Sequence, residues 1–222
     1  MAEHRARILH SEFITPDVKQ FKLERPVNYH FEPGQATDVS IGKPGWEGQL
    51  RPFTFTNLPD AKHLEFTIKI YGDHKGVTEQ LGQLHIGDEL LLHDVFGAIQ
   101  YKGPGFFIAA GAGVTPFIAI LRDLRQKKEL KGNTLLCINK TADDVILDGE
   151  FSKMLGKHFL KIFTRQHVIG FRERRIDRDT LVTLVEDFDQ HFYVCGPDEF
   201  VKEINDMLLS LGAKSDSLVF EQ

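Results

Sequence analysis

The feature that most constrains the fold is a change of pattern near residue 103. After that point, short and largely apolar runs alternate with segments of helical spacing. The apolar runs are residues 106–110, 135–138, 159–163 and 191–195, and the helical segments include residues 117–125, 180–185 and 198–211. Strands that are apolar on both faces and are separated by helices are typical of a parallel sheet covered on both sides. We therefore predict an α/β domain over residues 103–222.

Residues 1–102 follow a different pattern, in which short strand-like runs are separated by proline and glycine. The candidate strands are residues 5–10, 18–23, 37–41, 51–56, 64–70 and 89–95, and one short helix is expected at residues 77–81. Residues 63–70 alternate polar and apolar side chains strictly, which predicts a strand with one face buried and one face in water. Six strands joined by turns favour a small antiparallel barrel or sandwich.

The composition excludes several classes of protein. The 222 residues carry a formal net charge of −5, and 41% are hydrophobic, which is typical of a folded domain whose main partner is not nucleic acid. No apolar stretch reaches the roughly 18 residues of a membrane span, and the first residues lack the apolar part of a secretory signal. Cys137 and Cys195 are too few for a disulfide framework, and the ten histidines have no ligand spacing. A cytoplasmic enzyme or binding protein without a metal site is expected.

The most informative motif is Gly111-Ala112-Gly113-Val114-Thr115-Pro116, between a predicted strand and a predicted helix. Glycines let the backbone approach an anionic ligand, and a helix N-terminus offers free N–H groups and the positive end of its dipole. Pro116 suits the first turn of that helix, where a missing N–H costs nothing. Because the motif is not the full G-x-G-x-x-G fingerprint, a tight turn that binds nothing has the same pattern.

Three further motifs accompany this glycine turn in a fixed order: Arg51-Pro52-Phe53-Thr54, Gly76-Val77-Thr78 and Cys195-Gly196-Pro197. Together the four motifs resemble the ferredoxin–NADP reductase family of flavoenzymes, and the resemblance extends over essentially the whole chain. It implies a flavin-binding antiparallel β-barrel over residues 1–102, followed by a Rossmann-like parallel α/β domain over residues 103–222 that binds a nicotinamide nucleotide.

The resemblance implies a flavin site in the first domain. Arg51 would pair with the flavin phosphates, for which the fork of a guanidinium is suited. Phe53 would lie against the isoalloxazine, where the family usually has tyrosine, and Thr54 would offer its hydroxyl to flavin N5. The other implied flavin contacts are Pro52, Lys69, Ile70, Tyr71, Gly76, Val77 and Thr78. Taken singly, these residues are also typical of a surface charge, a barrel core and a helix cap.

The resemblance also implies a nucleotide site in the second domain, formed by Gly111, Gly113, Thr115, Pro116, Asn139, Cys195, Gly196 and Pro197. Cys195 would lie near nicotinamide C4 without forming a covalent bond. Residues 138–147 are similar to the NADH-preferring nitrate-reductase branch. Lys140 and the basic run 172–175 could instead serve the 2′-phosphate of NADPH, and the run could equally be a solvated loop or a docking patch for an acidic carrier. NADH and NADPH therefore both remain open.

The implied catalytic residues are Thr54, Cys195 and Glu221, of which Glu221 resembles an acidic residue that many relatives have near the flavin. The implied activity is hydride transfer from NAD(P)H to FAD, rather than FMN, and then electron transfer to a small carrier such as flavodoxin or ferredoxin. The alternative is a non-catalytic subunit that binds flavin or nucleotide and carries electrons only within a larger complex.

Overall fold

The computed structural model describes residues 3–73, 75–97, 99–165 and 176–220, and the chain divides into two compact units. The first unit comprises Met1–Gln100 and Thr115–Asp123, and the second comprises Tyr101–Val114 and Leu124–Gln222. The segment Thr115–Asp123 thus belongs to the first unit, although the chain on both sides of it belongs to the second. The boundary expected between residues 102 and 103 stays a prediction.

The first unit contains a six-stranded antiparallel sheet in the order β4-β3-β6-β1-β2-β5. Its strands are β1 (His4–Thr15), β2 (Val18–Glu24), β3 (Gln35–Ile41), β4 (Arg51–Thr54), β5 (His63–Lys69) and β6 (Glu89–Gly97). Phe55, directly after β4, forms an antiparallel bridge with Phe66 of β5. Because β4 and β5 are the two outer strands, this bridge joins the ends of the sheet and closes it as a barrel.

Aromatic side chains fill the interior of this sheet. Phe55 and Phe66 are fully buried, and the ring of Phe55 stacks on that of Phe31 at a centroid distance of 4.1 Å. The one helix between the strands, α1 (Val77–Gly82), buries Val77 and Leu81 in the same core. The strands and the short helix predicted for this half of the chain are confirmed.

The prediction that one face of β5 is in water is wrong. All five residues from Leu64 to Ile68 are buried, including Glu65 at 5% exposure and Thr67 at 4%. The polar side chains are covered because Arg122, from the helix segment Thr115–Asp123, forms an ion pair with Glu65. The alternating pattern identified the strand correctly, but the polar face is buried by a segment distant in sequence.

The second unit contains a five-stranded parallel sheet in the order β11-β10-β7-β8-β9. Its strands are β7 (Gly105–Ala110), β8 (Thr134–Asn139), β9 (Phe159–Phe163), β10 (His191–Cys195) and β11 (Leu218–Phe220). The helices along this part of the chain are α2 (Thr115–Lys127), α3 (Asp148–Leu155), α4 (Arg178–Leu184) and α5 (Asp198–Ser210), of which α3 was not predicted. The predicted fold, an antiparallel barrel followed by a parallel α/β sheet, is confirmed.

No helix among the described residues has both the length and the apolar character that crossing a membrane requires.

Candidate functional site

Strand β4 carries the first group of predicted flavin residues. It pairs antiparallel with β3, so that Thr54 lies opposite Ala36 and Arg51 opposite Val39. Arg51 and Pro52 are exposed, whereas Phe53 and Thr54 are half-buried, and Phe53 packs against the barrel core. This order along four residues places a charge in solvent and a hydroxyl at the edge of the apolar core.

The side chains of Arg51 and Thr54 have free hydrogen-bonding capacity. Arg51 donates from Nη1 to the carbonyl of Leu50 at 2.6 Å, and no described carboxylate pairs with it. The hydroxyl of Thr54 makes no hydrogen bond within the described part of the chain. A guanidinium with spare donors suits a phosphate, and an unpaired hydroxyl at a core edge suits a heteroatom of a planar ligand.

The second group of predicted flavin residues follows β5. Lys69 pairs with Asp17 at 2.8 Å between Nζ and Oδ2, and Tyr71 is 47% exposed. Ile70 is half-buried against α1, since a Cβ on Gly82 would lie 2.9 Å from Ile70 Cγ2. Ile70 is therefore in contact with the helix whose N-cap is the predicted residue Gly76 and whose first residues are Val77 and Thr78.

The glycine turn meets the Cys-Gly-Pro motif in the second unit. Residues Gly111–Val114 form a single turn of 3₁₀-helix directly after β7. A Cβ on Gly113 would lie 2.3 Å from the carbonyl oxygen of Cys195 and 2.8 Å from the amide nitrogen of Gly196. Gly196 is itself confined, because its Cβ would lie 2.9 Å from that of Ala110. Only glycine permits this approach of two backbone segments.

This contact lies at the point where the strand order reverses. From β7 the chain continues to β8 and β9 on one side of the sheet, and it then crosses to β10 and β11 on the other. Cys195 is aligned with Ala109, so both loops leave the carboxyl ends of adjacent parallel strands. In open α/β sheets, ligands bind at the carboxyl ends of the strands at such a switch point.

An open pocket of about 560 Å³ adjoins Cys195 and Gly196. It is also lined by Lys202 and Asn205 of α5 and by Phe220 of β11. Asn205 is 8% exposed, and its Oδ1 has no hydrogen-bond partner among the described residues. The sequence did not indicate Asn205, since it lies within the apolar spacing of a helix.

The predicted nucleotide residue Asn139 has a structural partner. Its Nδ2 donates to the carbonyl of Asp144 at 2.8 Å. Asp144 in turn accepts from the amide and the hydroxyl of Thr141, at 2.8 and 2.7 Å. Asn139 therefore orders the turn that follows β8, while the neighbouring Lys140 and Asp143 are exposed.

The two cysteines are both buried. Burial raises the pKa of the Cys137 thiol to about 12, so it stays protonated at neutral pH. Cys195 is buried at the end of β10 and is not in a disulfide. Among the residues described, no three His, Cys, Asp or Glu side chains are close enough together to hold a metal ion.

Comparisons with known proteins agree with this geometry. Residues 107–206 match the family model of the oxidoreductase NAD-binding domain. Over 98% of its length the chain is 25% identical to the reductase component of propane 2-monooxygenase from Rhodococcus jostii, and over 96% it is 27% identical to cytochrome b5 reductase 4 from Rattus norvegicus. The chain covers 63% and 46% of the lengths of these two relatives.

Solved structures show the same fold. The flavohem-like FAD/NAD binding domain of nitric oxide dioxygenase from Vibrio cholerae superposes with a TM-score of 0.85 at 20% identity, covering 98% of this chain and 97% of that one. A ferredoxin NADP⁺ reductase from Neisseria gonorrhoeae with bound FAD and NADP gives 0.82 at 21% identity, covering 95% and 92%. At these identities the likeness shows that the chain shares the fold of the two structures.

Two of the predicted features lie outside the described residues: Glu221, and the basic run 172–175. For the others, the structure places each residue without testing its role. The sequence did not indicate Glu65 and Arg122, which form an ion pair in the first unit. Arg122 also donates to the carbonyl of Thr56, two residues after Thr54. The sign of a buried charge was available in the sequence, because Arg122 lies among the apolar residues of the predicted helix 117–125.

Proposed function

We propose that this chain is the FAD-dependent reductase module of an NAD(P)H oxidoreductase, which accepts hydride from a nicotinamide nucleotide and passes electrons to a second acceptor. The observation that carries the proposal is the contact of Gly113 with Cys195 and Gly196 at the switch point of the parallel sheet. The relatives named as reductases, and the Neisseria structure with bound FAD and NADP, support the same activity.

The residues of the first unit fit a flavin. Arg51 would hold the phosphates, since its guanidinium is exposed and has spare donors. The Thr54 hydroxyl, which has no partner among the described residues, would donate a hydrogen bond to flavin N5. Phe53, the preceding residue of β4, would place its ring against the isoalloxazine. A bound flavin would supply the two-electron acceptor and one-electron donor chemistry that side chains lack.

We propose NADH as the preferred donor. Asp143 is exposed, and the carboxylate of Asp144 is held by Thr141, in the turn directly after β8. In dinucleotide-binding βαβ units, an acidic residue at this strand end accepts from the ribose hydroxyls of NAD and repels the 2′-phosphate of NADP. Lys140 is the one described cation within this turn, and its charge would instead favour the 2′-phosphate of NADP.

The electron acceptor is proposed as a small carrier protein such as flavodoxin or ferredoxin. The relatives named as a reductase component and as a cytochrome b5 reductase support an acceptor that is a separate protein or domain. The two relatives are longer than this chain. If the acceptor is instead a domain attached to the same protein, the NADH-reduced chain should not turn over with added flavodoxin or ferredoxin.

The first test is the absorption spectrum and its response to nucleotide. We expect the purified or FAD-reconstituted chain to be yellow, and we expect NADH to bleach the flavin band within about a second in a stopped-flow instrument, since reductase turnover is typically about 1–10³ s⁻¹. NADPH should bleach it at least about tenfold more slowly, because a mispaired phosphate beside a carboxylate costs more than about 1.4 kcal/mol.

Asp143→Arg is the matched variant for nucleotide choice. It should narrow or invert the difference between the two donors while leaving the flavin spectrum unchanged. A chain that binds neither FAD nor FMN would overturn the proposed function. A flavin band that neither nucleotide bleaches would favour the non-catalytic subunit instead.

Replacement of Arg51 tests the phosphate contact. Arg51→Ala should weaken FAD binding by about 10- to 150-fold, because it removes a charge-assisted hydrogen bond worth about 1.5–3 kcal/mol. Molecules that remain loaded should be reduced at nearly the parent rate, since Arg51 would contact the phosphates rather than the reacting ring. Isothermal titration with FAD gives the first quantity and stopped-flow reduction the second. Arg7 is an exposed arginine on β1 of the same sheet, and Arg7→Ala is the control. Equal FAD affinity in Arg51→Ala and Arg7→Ala would refute the role of Arg51.

A further inference from the structure

A buried ion pair lies beside the predicted flavin strand, within the first unit. Arg122 Nη1 donates to Glu65 Oε1 at 2.6 Å and to the carbonyl of Thr56 at 2.7 Å. The side chain of Glu65 is 7% exposed and that of Arg122 is 19% exposed. Desolvation offsets much of the attraction in such a pair, so a buried ion pair is weak evidence of stabilisation. What this pair does is fix the geometry of the groups that it joins.

Further hydrogen bonds hold the same segment. The amide of Thr56 donates to the carbonyl of Glu65 at 2.9 Å, and its hydroxyl donates to Glu65 Oε1 at 2.9 Å. Asn57 Oδ1 accepts from the amide of Glu65 at 2.7 Å. The backbone after Thr54 is therefore clamped to β5 on one side and to the guanidinium of Arg122 on the other.

Arg122 connects this clamp to a second predicted site. It lies on α2, whose first residues, Thr115 and Pro116, belong to the glycine-turn motif and to the first unit. The helix is rigid between its first turn and Arg122, because its backbone is hydrogen-bonded throughout. Ile120 packs on the same unit, since a Cβ on Gly34 would lie 3.1 Å from Ile120 Cδ1. Within the first unit, one helix thus carries Thr115 and Pro116 in its first turn and the Arg122 contact with Thr56 near the other end of the segment.

We propose that Arg122 and Glu65 are a positioning pair, which fixes the Thr54 hydroxyl relative to the first turn of α2. The inference rests on the proposed function and names residues that control the rate of hydride transfer without touching flavin or nucleotide. Thr54 is two residues from Thr56, so a shift of the clamped segment moves the hydroxyl that would contact N5. A misplacement of about 1 Å is enough to slow such a reaction by up to about 100-fold.

The test is a double-mutant cycle on the rate of flavin reduction by NADH. Arg122→Gln and Glu65→Gln should each slow reduction by about tenfold and change FAD affinity by less than about threefold, because neither residue contacts the flavin. In a Thr54→Ala background, the same substitutions should change the rate by less than about twofold, because the group through which they act is gone. Lys43→Gln, which breaks the Lys43–Asp88 pair of the same unit, is the matched control and should leave the rate unchanged.

A second readout needs no flavin. Amide hydrogen exchange in the flavin-free chain should become about tenfold faster at Thr56 and Glu65 in Arg122→Gln, and it should stay at the parent rate in Lys43→Gln. Arg122→Gln leaves the Glu65 carboxylate buried without its partner and could unfold the chain for that reason. In that case Glu65→Gln, which is nearly isosteric and keeps an oxygen acceptor, is the variant on which exchange is measured.

The outcomes separate the two proposals. Equal effects of Arg122→Gln in the presence and absence of the Thr54 hydroxyl would overturn the positioning role, as would unchanged exchange at Thr56. A parent chain that neither NADH nor NADPH reduces, but whose exchange responds as expected, would overturn the proposed function and leave a structural clamp that positions nothing for catalysis.

Discussion

Thr54→Ala is expected to slow flavin reduction by NADH by about 10- to 1000-fold while the flavin stays bound. The hydroxyl of Thr54 is half-buried and has no hydrogen bond within the described residues, so its donor is available to the reacting nitrogen. A donor placed where charge develops is typically worth a few kcal/mol in the transition state. The measurement is single-turnover reduction followed by the loss of flavin absorbance.

The stability of Thr54→Ala should change by no more than about 0.5 kcal/mol, since no hydrogen bond within the described chain is lost. Thr54→Ser keeps the hydroxyl and should recover most of the rate. Thr183→Ala removes a surface hydroxyl that bonds only the carbonyl of Asp179 among its described neighbours, and it should reduce at the parent rate. If Thr54→Ala also reduces at that rate, its hydroxyl does not serve N5.

Gly113→Ala is expected to destabilise the second unit and to abolish measurable nucleotide binding. The added Cβ would lie 2.3 Å from the carbonyl oxygen and 2.6 Å from the carbonyl carbon of Cys195. Both are backbone atoms at the end of a central strand, so they cannot move as a flexible side chain would. Overpacking of this kind costs about 1–3 kcal/mol or more, and relief of the clash would displace the glycine turn from the strand end. Denaturant unfolding gives the first effect and NADH titration the second.

Gly149→Ala is the control for this substitution. Gly149 lies in α3, and no heavy atom lies within 4 Å of the Cβ that it would carry. Alanine there should stabilise the chain by about 0.5–1 kcal/mol, because glycine loses more backbone entropy in a helix. NADH affinity should not change. A Gly113→Ala chain that unfolds and binds NADH like Gly149→Ala would show that the turn has room to spare, and would remove the observation on which the proposed nucleotide site depends.

Local pattern was enough to locate most of the elements of both units. Residues 106–110 are apolar at every position and residues 191–195 at every position after His191, which is typical of a strand covered on both faces, and both runs lie in strands of the parallel sheet. Proline and glycine between short runs in the first half likewise identified the six antiparallel strands. Helix α3 was missed, because its eight residues include a glycine, two acidic residues in the first turn and a lysine in the last turn. Short helices of this composition have little intrinsic preference.

The sequence identified the motifs of the candidate site, and the tertiary structure showed how those motifs are arranged. Nothing local in Gly111-Ala112-Gly113 or in Cys195-Gly196-Pro197 says that the two loops touch. Their contact follows from the pairing of β7 with β10, which is a choice among distant partners that all have the same apolar pattern. The residues proposed to bind the nucleotide were therefore predictable as candidates, but their proximity was not.

Burial of charge is the clearest case that only the tertiary structure decided. The sequence by itself determined that residues 63–70 form a strand, since alternation with a period of two has no other regular solution. It placed Glu65 in water, because an unpaired carboxylate cannot be buried without a large desolvation cost. The structure buries it, because Arg122 on α2 supplies the opposite charge within 2.6 Å. Periodicity reports the chemistry of one segment alone, whereas the free energy of burying a charge depends on the partner that the rest of the fold brings to it.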